Sequence, residues 1–528
     1  MARILVDPVS RLEGHLKIEA EVSGGKVTDA WASGTLFRGI ELILQGRDPR
    51  DAFHITQRIC GVCPTNHGHA SSMSVEDAIG LKVTDNARLA RNIIEGAQWV
   101  HSHILWFYHL TAVDYVDVVS ALKAKPANPE QKAVQDKVKN LVDTGQLGPF
   151  ANGYWGHPAY KLTPELNLLA VTHYIEALER QAQAANLSAI LSGIMPMNKA
   201  TPPGGYVGQP TLEQLNHLQS ECQDLQAWVN DVYVADVLAI APFYLDAAKL
   251  GKGPGNYLAY GCFDDKSMNM EDRLLPPGVI MNGALKLLKF DPEKIEEEVA
   301  RSWYDGDTRK PADGETKPNF TKYDTNAKYS WLKAPRYEGN PMEVGPLSRV
   351  LVAYLAGRKE IKTEVDGALS ALGVPGQIPL LESVLGRIAA RAIETKVIIG
   401  QMLGWADELY KNISSGKNDN FIEPDINKDG KGAGLWEGPR GALGHWCDIK
   451  GGKLANYQAV VPTTWNCSPR DSKDVKGPTE QALVGTPVAD PAKPLEILRV
   501  VHSFDPCIAC AVHIIDTDKK EIHKFKVG

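Results

Sequence analysis

No apolar run in this 528-residue sequence reaches the roughly 18–20 residues needed to span a bilayer as a helix, so no membrane-crossing segment is expected. Clusters of lysine and arginine are also missing. With a net charge of −7 and no basic patch, the chain lacks the footprint that phosphate backbones require, which excludes nucleic acid as the expected partner. Cysteine is scarce, eight residues in all, so folding is not expected to depend on a disulfide framework. The N-terminal MARILVDPVSRLEGH meets Asp7, Arg11 and Glu13 before an apolar signal core can form; an exported protein would need its address carried by another chain. Internal repeats and low-complexity segments are absent. What is present is an ordinary globular composition, 43% hydrophobic and 23% charged, with material for a large core.

The order of patterns predicts an α+β fold, mostly helical: a large central bundle of long helices with an N-terminal β-hairpin region and irregular insertions. HLKIEAEVSGGKVTDAWAS alternates apolar and polar residues on both sides of Gly24-Gly25, a hairpin signal. From Asn86 the period lengthens, and Leu89, Ile93, Ala97, Val100, Ile104 and Phe107 mark one helix face. A second long helix opens at TPEL, with Thr163 as N-cap and Pro164 in the first turn; Leu168, Val171, Ile175 and Leu178 follow one face. Helical patterns recur over about 211–247 and 380–409. Between them, 251–346 is rich in Gly, Pro, aromatics and charge with little period, which predicts irregular structure and short strands. The whole chain, 1–528, reads as one domain.

Four of the cysteines carry ligand spacing. RICGVCPTNHGHA sets Cys60 and Cys63 two residues apart with His67 following; DPCIACAVH does the same for Cys507 and Cys510 with His513 following. Two intervening residues let both sulfurs reach one ion, and thiolates favour zinc, iron or nickel. A structural tetrathiolate zinc, or two unrelated thiol pairs, is the plain reading of such spacing. The flanks argue against it. Zinc ribbons close over about 15–20 residues, whereas nearly the whole chain intervenes here, and neither pair has the strand–helix context of a thioredoxin-like motif. Joining the chain ends at one buried tetrathiolate suits a reactive metal shielded from water.

The two cysteine motifs, with RLEGH at 11–15, FRGIE at 37–41, GAQWVHSHILWFYHLTAVDYVDV from Gly96, EGPRGALGHW at 437–446 and NYQAVVPTTWNCSPRD at 456–471, resemble the nickel–iron hydrogenase large subunit along the length of the chain. That resemblance implies reversible heterolytic cleavage of H2 at a nickel–iron centre whose iron carries two cyanides and one carbon monoxide. Cys60 and Cys507 are then terminal nickel ligands, and Cys63 and Cys510 bridge the two metals. Arg440 stands beside the iron's diatomic ligands with Asp505 orienting it, Thr463 donates to a cyanide, and Leu443, Val461 and Pro462 line the apolar side. Glu13 lies within hydrogen-bond reach of Cys507 and carries away the proton, which goes first to a sulfur or to Arg440, and His67 donates to the Cys510 sulfur. Glu41, the Ala459 carbonyl and His513 match a separate magnesium (or iron) site. The resemblance also implies an iron–sulfur small subunit as heterodimeric partner, possibly in a dimer of heterodimers, co-exported to the periplasmic side of the membrane, with a cytoplasmic enzyme as the alternative. Nickel-insertion proteins and an endopeptidase that removes 514–528 after His513 are the expected maturation partners.

Two positions depart from the family pattern. Ser102 stands where many relatives have an acid beside the arginine, and Trp106 replaces a histidine. The quinone-site subunit of respiratory complex I shares the fold but lacks the four cysteines. DINKDGKGAGLW begins like a calcium loop, but Trp436 occupies the position that needs a bidentate Glu, so the stretch reads as an Asp/Gly turn.

Overall fold

A computed structural model describes residues 2–151 and 153–508; Cys510, His513 and 514–528 lie outside the described residues. The N-terminal alternation forms an antiparallel sheet of β1 (Ala2–Val6), β2 (Leu16–Ser23) and β3 (Lys26–Gly34), in that order, with Gly24 and Gly25 both at positive φ in the β2–β3 turn. Helix α1 (Pro64–Ile79) follows, and Cys63 is the residue immediately before it. Helix α2 (Asp85–Ile104) runs on into a π-turn over Leu105–Thr111. The predicted cap at Thr163 is present: its hydroxyl accepts from Leu166 N at 3.3 Å, and α3 (Pro164–Ser192) begins at the expected proline. Helix α4 (Leu212–Trp228) completes the first half of the bundle. Short strands at Tyr257–Ala259, Gly278–Ile280, Ile295–Glu298 and Ala334–Tyr337 fill the region read as irregular. Helices α5 (Pro346–Leu355) and α6 (Val384–Ser414) return the chain to the bundle.

The buried faces of the two long helices are not the simple stripes that the period marks. Leu178 is 47% exposed, so the inner face of α3 does not continue through it. Helix α2 does bury Leu89, Ile93, Ala97, Val100 and Ile104, but its polar side is buried as well. Several of the long polar side chains there are paired, which offsets part of the cost of burying them. Arg91 forks onto Glu76 at 2.6 and 3.0 Å, Asn92 donates to Asp264 O at 2.8 Å, and Gln98 donates to Val62 O at 2.8 Å.

After α6 comes an antiparallel meander of β4 (Gly430–Gly438), β5 (Gly441–Lys450) and β6 (Lys453–Val460), and then α7 (Leu495–Ser503), which leads to Cys507. Sequence patterning did not predict the meander; the turn read at 425–430 precedes it. Its packing explains the glycines of β4. A Cβ at Gly430, Gly432 or Gly434 would lie 2.0, 2.2 or 1.8 Å from the carbonyl oxygens of Ala78, Ser74 and Ala70. Two strand residues advance about 6.8 Å and four helix residues about 6 Å, so one bare strand face lies along one helix stripe. This contact presses α1, and the Cys63 end of it, against the strand that leads to Arg440.

A buried charge cluster fastens the chain ends. Arg11, at φ 56, pairs through Nη2 with Asp114 Oδ1 at 2.5 Å, and His502 Nδ1 meets Asp114 Oδ2 at 2.6 Å. Burial alone would raise the Asp114 pKa, but Arg11 and His502 overcome it and hold the carboxyl at about 2. A depressed carboxylate contributes stability that is present above its unfolded value of 3.8 and lost as pH falls through the folded value. Asp114→Asn is therefore expected to cost about 2–3 kcal/mol at neutral pH and to flatten the loss of stability between about pH 4 and 2; unfolding measured across pH checks both. In the same assay, Gly432→Ala is expected to destabilise by about 3 kcal/mol or more, since its methyl meets backbone rather than a movable side chain. A wild-type unfolding midpoint in that variant would contradict the packing described.

Candidate metal centre

Three sulfurs converge in the core. Those of Cys60, Cys63 and Cys507 all lie within 4.8 Å of one another, and Cys60 Sγ is 3.2 Å from Cys507 Sγ. The loop from Cys60 to Cys63 wraps its own first sulfur, which accepts from Val62 N at 3.2 Å and Cys63 N at 3.1 Å; such amide donors favour a thiolate. Gln98 of α2 holds the loop through Val62 O, and Arg38 of the FRGIE segment donates to Ile59 O at 3.3 Å just before it. From the other end of the chain, Cys507 N donates to Thr463 Oγ1 at 2.9 Å, while Ile508 N bonds Glu13 O at 2.7 Å. Residues 13 and 507 thus form a short parallel bridge, and Cys507 Sγ lies 3.5 Å from Glu13 Oε2 as a donor to it.

Arg440 lies in the two-residue turn between β4 and β5 and is only 3% exposed. Its Nε is 3.1 Å from Asp505 Oδ1, the pairing expected from the sequence. Burial acts to lower the pKa of the guanidinium, but Asp505 and then the sulfurs of Cys507, Cys63 and Cys60 hold it well above the usual arginine value. Asp505 has φ 53, a left-handed conformation uncommon outside glycine, just ahead of Pro506 and Cys507. Ser102, one of the two departures, accepts from Arg440 Nη1 at 3.4 Å, so a hydroxyl replaces the acid while keeping contact with the arginine. Trp106, the other, donates from Nε1 to His502 O at 2.9 Å and lies under the Arg391 guanidinium, 4.1 Å from its ring centre.

His67 projects from α1 into the core, where burial pushes its pKa down to about 4. Its Nδ1 is 3.2 Å from His445 Nε2, and His445 Nδ1 is 2.7 Å from the Tyr457 hydroxyl. With both rings neutral, Tyr457 donating to His445 and His445 to His67 leaves the His67 Nε2–H free to point outward to an acceptor. Leu443, Val461, Pro462 and Thr463 are all buried, and Pro462 lies against Gly438 at the Arg440 turn. The Thr463 oxygen that accepts from Cys507 N retains its own O–H as a donor.

Glu41 and Ala459 also meet, but through the amide: Ala459 N donates to Glu41 Oε1 at 2.9 Å. Thr316 donates to Glu41 Oε2, and Lys333 Nζ stands 3.8 Å from that oxygen and 3.3 Å from Glu297. Sequence reading did not single out Thr316, Lys333 or Glu297, nor His445 and Tyr457. The last two lie inside blocks that were recognised, EGPRGALGHW and NYQAVVPTTW, and could have been found there.

A family described as nickel-dependent hydrogenase matches residues 38–513. The Hydrogenase-2 large chain of Escherichia coli K12 is 43% identical over 99% of both chains. The uptake hydrogenase large subunit of Rhizobium leguminosarum bv. viciae is 42% identical over 99% of this chain and 97% of its own. Among solved structures, the reduced nickel–iron–selenium hydrogenase of Desulfovibrio vulgaris Hildenborough matches with a TM-score of 0.84 at 37% identity, covering 97% of this chain and 100% of that one. Similarity of this extent, on a fold that gathers cysteines from both ends of the sequence, makes the chain a member of the nickel-dependent hydrogenases: a large subunit, and an oxidoreductase acting on hydrogen.

Proposed function

We propose that the thiolates hold a nickel–iron centre at which H2 is cleaved heterolytically, with electrons leaving through an iron–sulfur small subunit. The observation that carries this reading is the convergence of Cys60, Cys63 and Cys507 in the field of the Arg440 charge. The donor set fits: several buried sulfurs suit soft, redox-active metals, and Cys510 would complete a tetrathiolate. Cys60 and Cys507 would bind nickel terminally, with Cys63 and Cys510 bridging to iron. Arg440, Thr463, Leu443, Val461 and Pro462 would face the iron's cyanides and carbon monoxide. When bound, the group supplies a soft Lewis acid that polarises H2 and takes up its electrons.

The chain's own residues handle the proton. A proton held at Cys507 Sγ has Glu13 Oε2 at 3.5 Å, so Glu13 is the group that accepts it and passes it outward. Arg440 stays charged and aims fixed donors at the same place, while Asp505 and Ser102 orient it. Glu41, with the Ala459 carbonyl and His513, would hold magnesium or iron, since hard oxygen donors suit such a cation. The remaining cysteines, Cys222, Cys262, Cys447 and Cys467, form no metal-spaced group among the described residues, which supports electron exit to a partner that carries clusters. The family match ends at residue 513, which supports removal of 514–528 once nickel is in place.

One experiment addresses both ligation and proton transfer: nickel content, hydrogen turnover and intact mass of Cys63→Ser and Glu13→Gln, each purified with its partner. Cys63→Ser is expected to lack nickel, to be inactive and to keep the tail to Gly528. Glu13→Gln is expected to hold nickel and to end at His513, yet lose turnover by a factor on the order of 100 or more. Nickel and turnover surviving in Cys63→Ser would refute the ligation, and wild-type rates in Glu13→Gln would refute the proton route.

A further inference from the structure

Arg349 has no part in the thiolate site, yet it is fully buried and its guanidinium is engaged on every side. Nε and Nη2 fork onto Glu394 at 2.7 and 2.9 Å, and Nη1 donates to Glu437 Oε2 at 2.7 Å. The plane lies over Trp99, 4.3 Å from the ring centre. Two more bonds go to the turn that carries Arg440: Nη1 donates to Gly438 O at 3.0 Å and Nη2 to Pro439 O at 2.9 Å.

The Pro439 carbonyl belongs to the peptide plane that ends at the N and Cα of Arg440. Fixing that oxygen fixes the direction in which the Arg440 side chain departs. The carbonyl on the other side of Arg440 is held by shape. Gly345, at φ 119, packs so closely that a Cβ there would lie 2.8 Å from Arg440 O. Both grips come from one helix terminus, because Gly345 caps α5 and Arg349 N bonds Gly345 O at 3.0 Å. The start of α5 therefore brackets Arg440 at both of its peptide planes.

We propose that Arg349 is a positioning residue for the reaction, acting through Arg440, an assignment that rests on Arg440 serving the thiolate site as described above. Two carboxylates hold the Arg349 fork in place, and the fork holds the turn. Lysine keeps the charge but presents donors from a single point, so it cannot occupy Glu394 and both carbonyls together.

The test uses Arg349→Lys in the nickel-loaded enzyme with its partner, alone and combined with Arg440→Lys. Expected are wild-type nickel content, a kcat lower by a factor on the order of 100, and a KM for hydrogen within about threefold, the pattern of a misplaced group rather than lost binding. In the Arg440→Lys background the same change should cost less than about threefold, because the group it positions is already gone. A crystal structure of Arg349→Lys should show Arg440 displaced from its 3.1 Å approach to Asp505. Unchanged kcat, an undiminished loss in the double variant, or an unmoved Arg440 each overturns the proposal. If Arg349→Lys does not fold, Glu437→Gln takes its place. It removes one of the carboxylates that hold the fork, and a smaller kcat loss that vanishes beside Arg440→Lys is expected, whereas a loss that persists there overturns the proposal. Failure of the hydrogenase reading itself would appear in the wild type, as absent nickel and turnover, while the displacement of Arg440 is read from the crystal structure independently of either.

Discussion

Everything in this structure answers to one closure: Cys60 and Cys507, 447 residues apart, bring their sulfurs to 3.2 Å in the core. Closing a loop of that length costs about 5 kcal/mol in chain entropy before any contact offsets it, and it places polar sulfur where water is excluded. The fold meets both demands with the same elements. Helix α2 is buried on all sides and holds the Cys60–Cys63 loop through Gln98, while the Arg11–Asp114–His502 cluster ties the N-terminal loop to the helix that delivers Cys507. The backbone bridge from Glu13 to residues 507 and 508 completes the seam. The carboxylate and the sulfur that would exchange a proton are therefore held together by backbone as well as side chain.

Charge burial on this scale is stable only when it is paired. Isolated buried ions cost several kcal/mol each, and the core avoids that cost by alternating signs. Asp505 lies against Arg440 and in the field of Arg391, and Glu394 and Glu437 sandwich Arg349. Burial raises the Glu437 pKa to about 7 even with Arg349 beside it, so this network carries little surplus charge near neutral pH. The result is a frame in which the turn that carries Arg440 is held from behind by Arg349. Trp106 fits the same logic, since its indole both donates to the His502 carbonyl and receives the Arg391 face.

How much of this was legible follows from the length scale of each signal. The β2–β3 hairpin, the Thr163–Pro164 helix start and the buried stripe of α2 are local, so period and capping chemistry reveal them. Leu178 looked like its neighbours at the same spacing but faces solvent, because periodicity does not say where the neighbouring helices end. The meander was hidden by its own packing: in GKGAGLWEG the glycines that let β4 lie on α1 remove the alternation by which a strand is recognised. Arg349, within PLSRVLVAYL, reads as a lone cation on an apolar helix, since its carboxylate partners lie 45 and 88 residues away. For the site, spacing gave two thiol pairs and left their metal open; the ordered blocks along the chain joined them, and among the described residues the structure places Cys60, Cys63 and Cys507 near Glu13, Arg440 and Asp505.

In the proposed function these buried cysteines hold a nickel–iron centre with diatomic ligands on the iron. Infrared spectra of the anaerobically purified complex test it most directly, because cyanide and carbon monoxide bound to iron absorb in a window that the protein itself leaves clear. Bands for two cyanides and one carbon monoxide that shift when hydrogen is admitted are expected. A nickel-containing, hydrogen-oxidising complex with no such bands would contradict it.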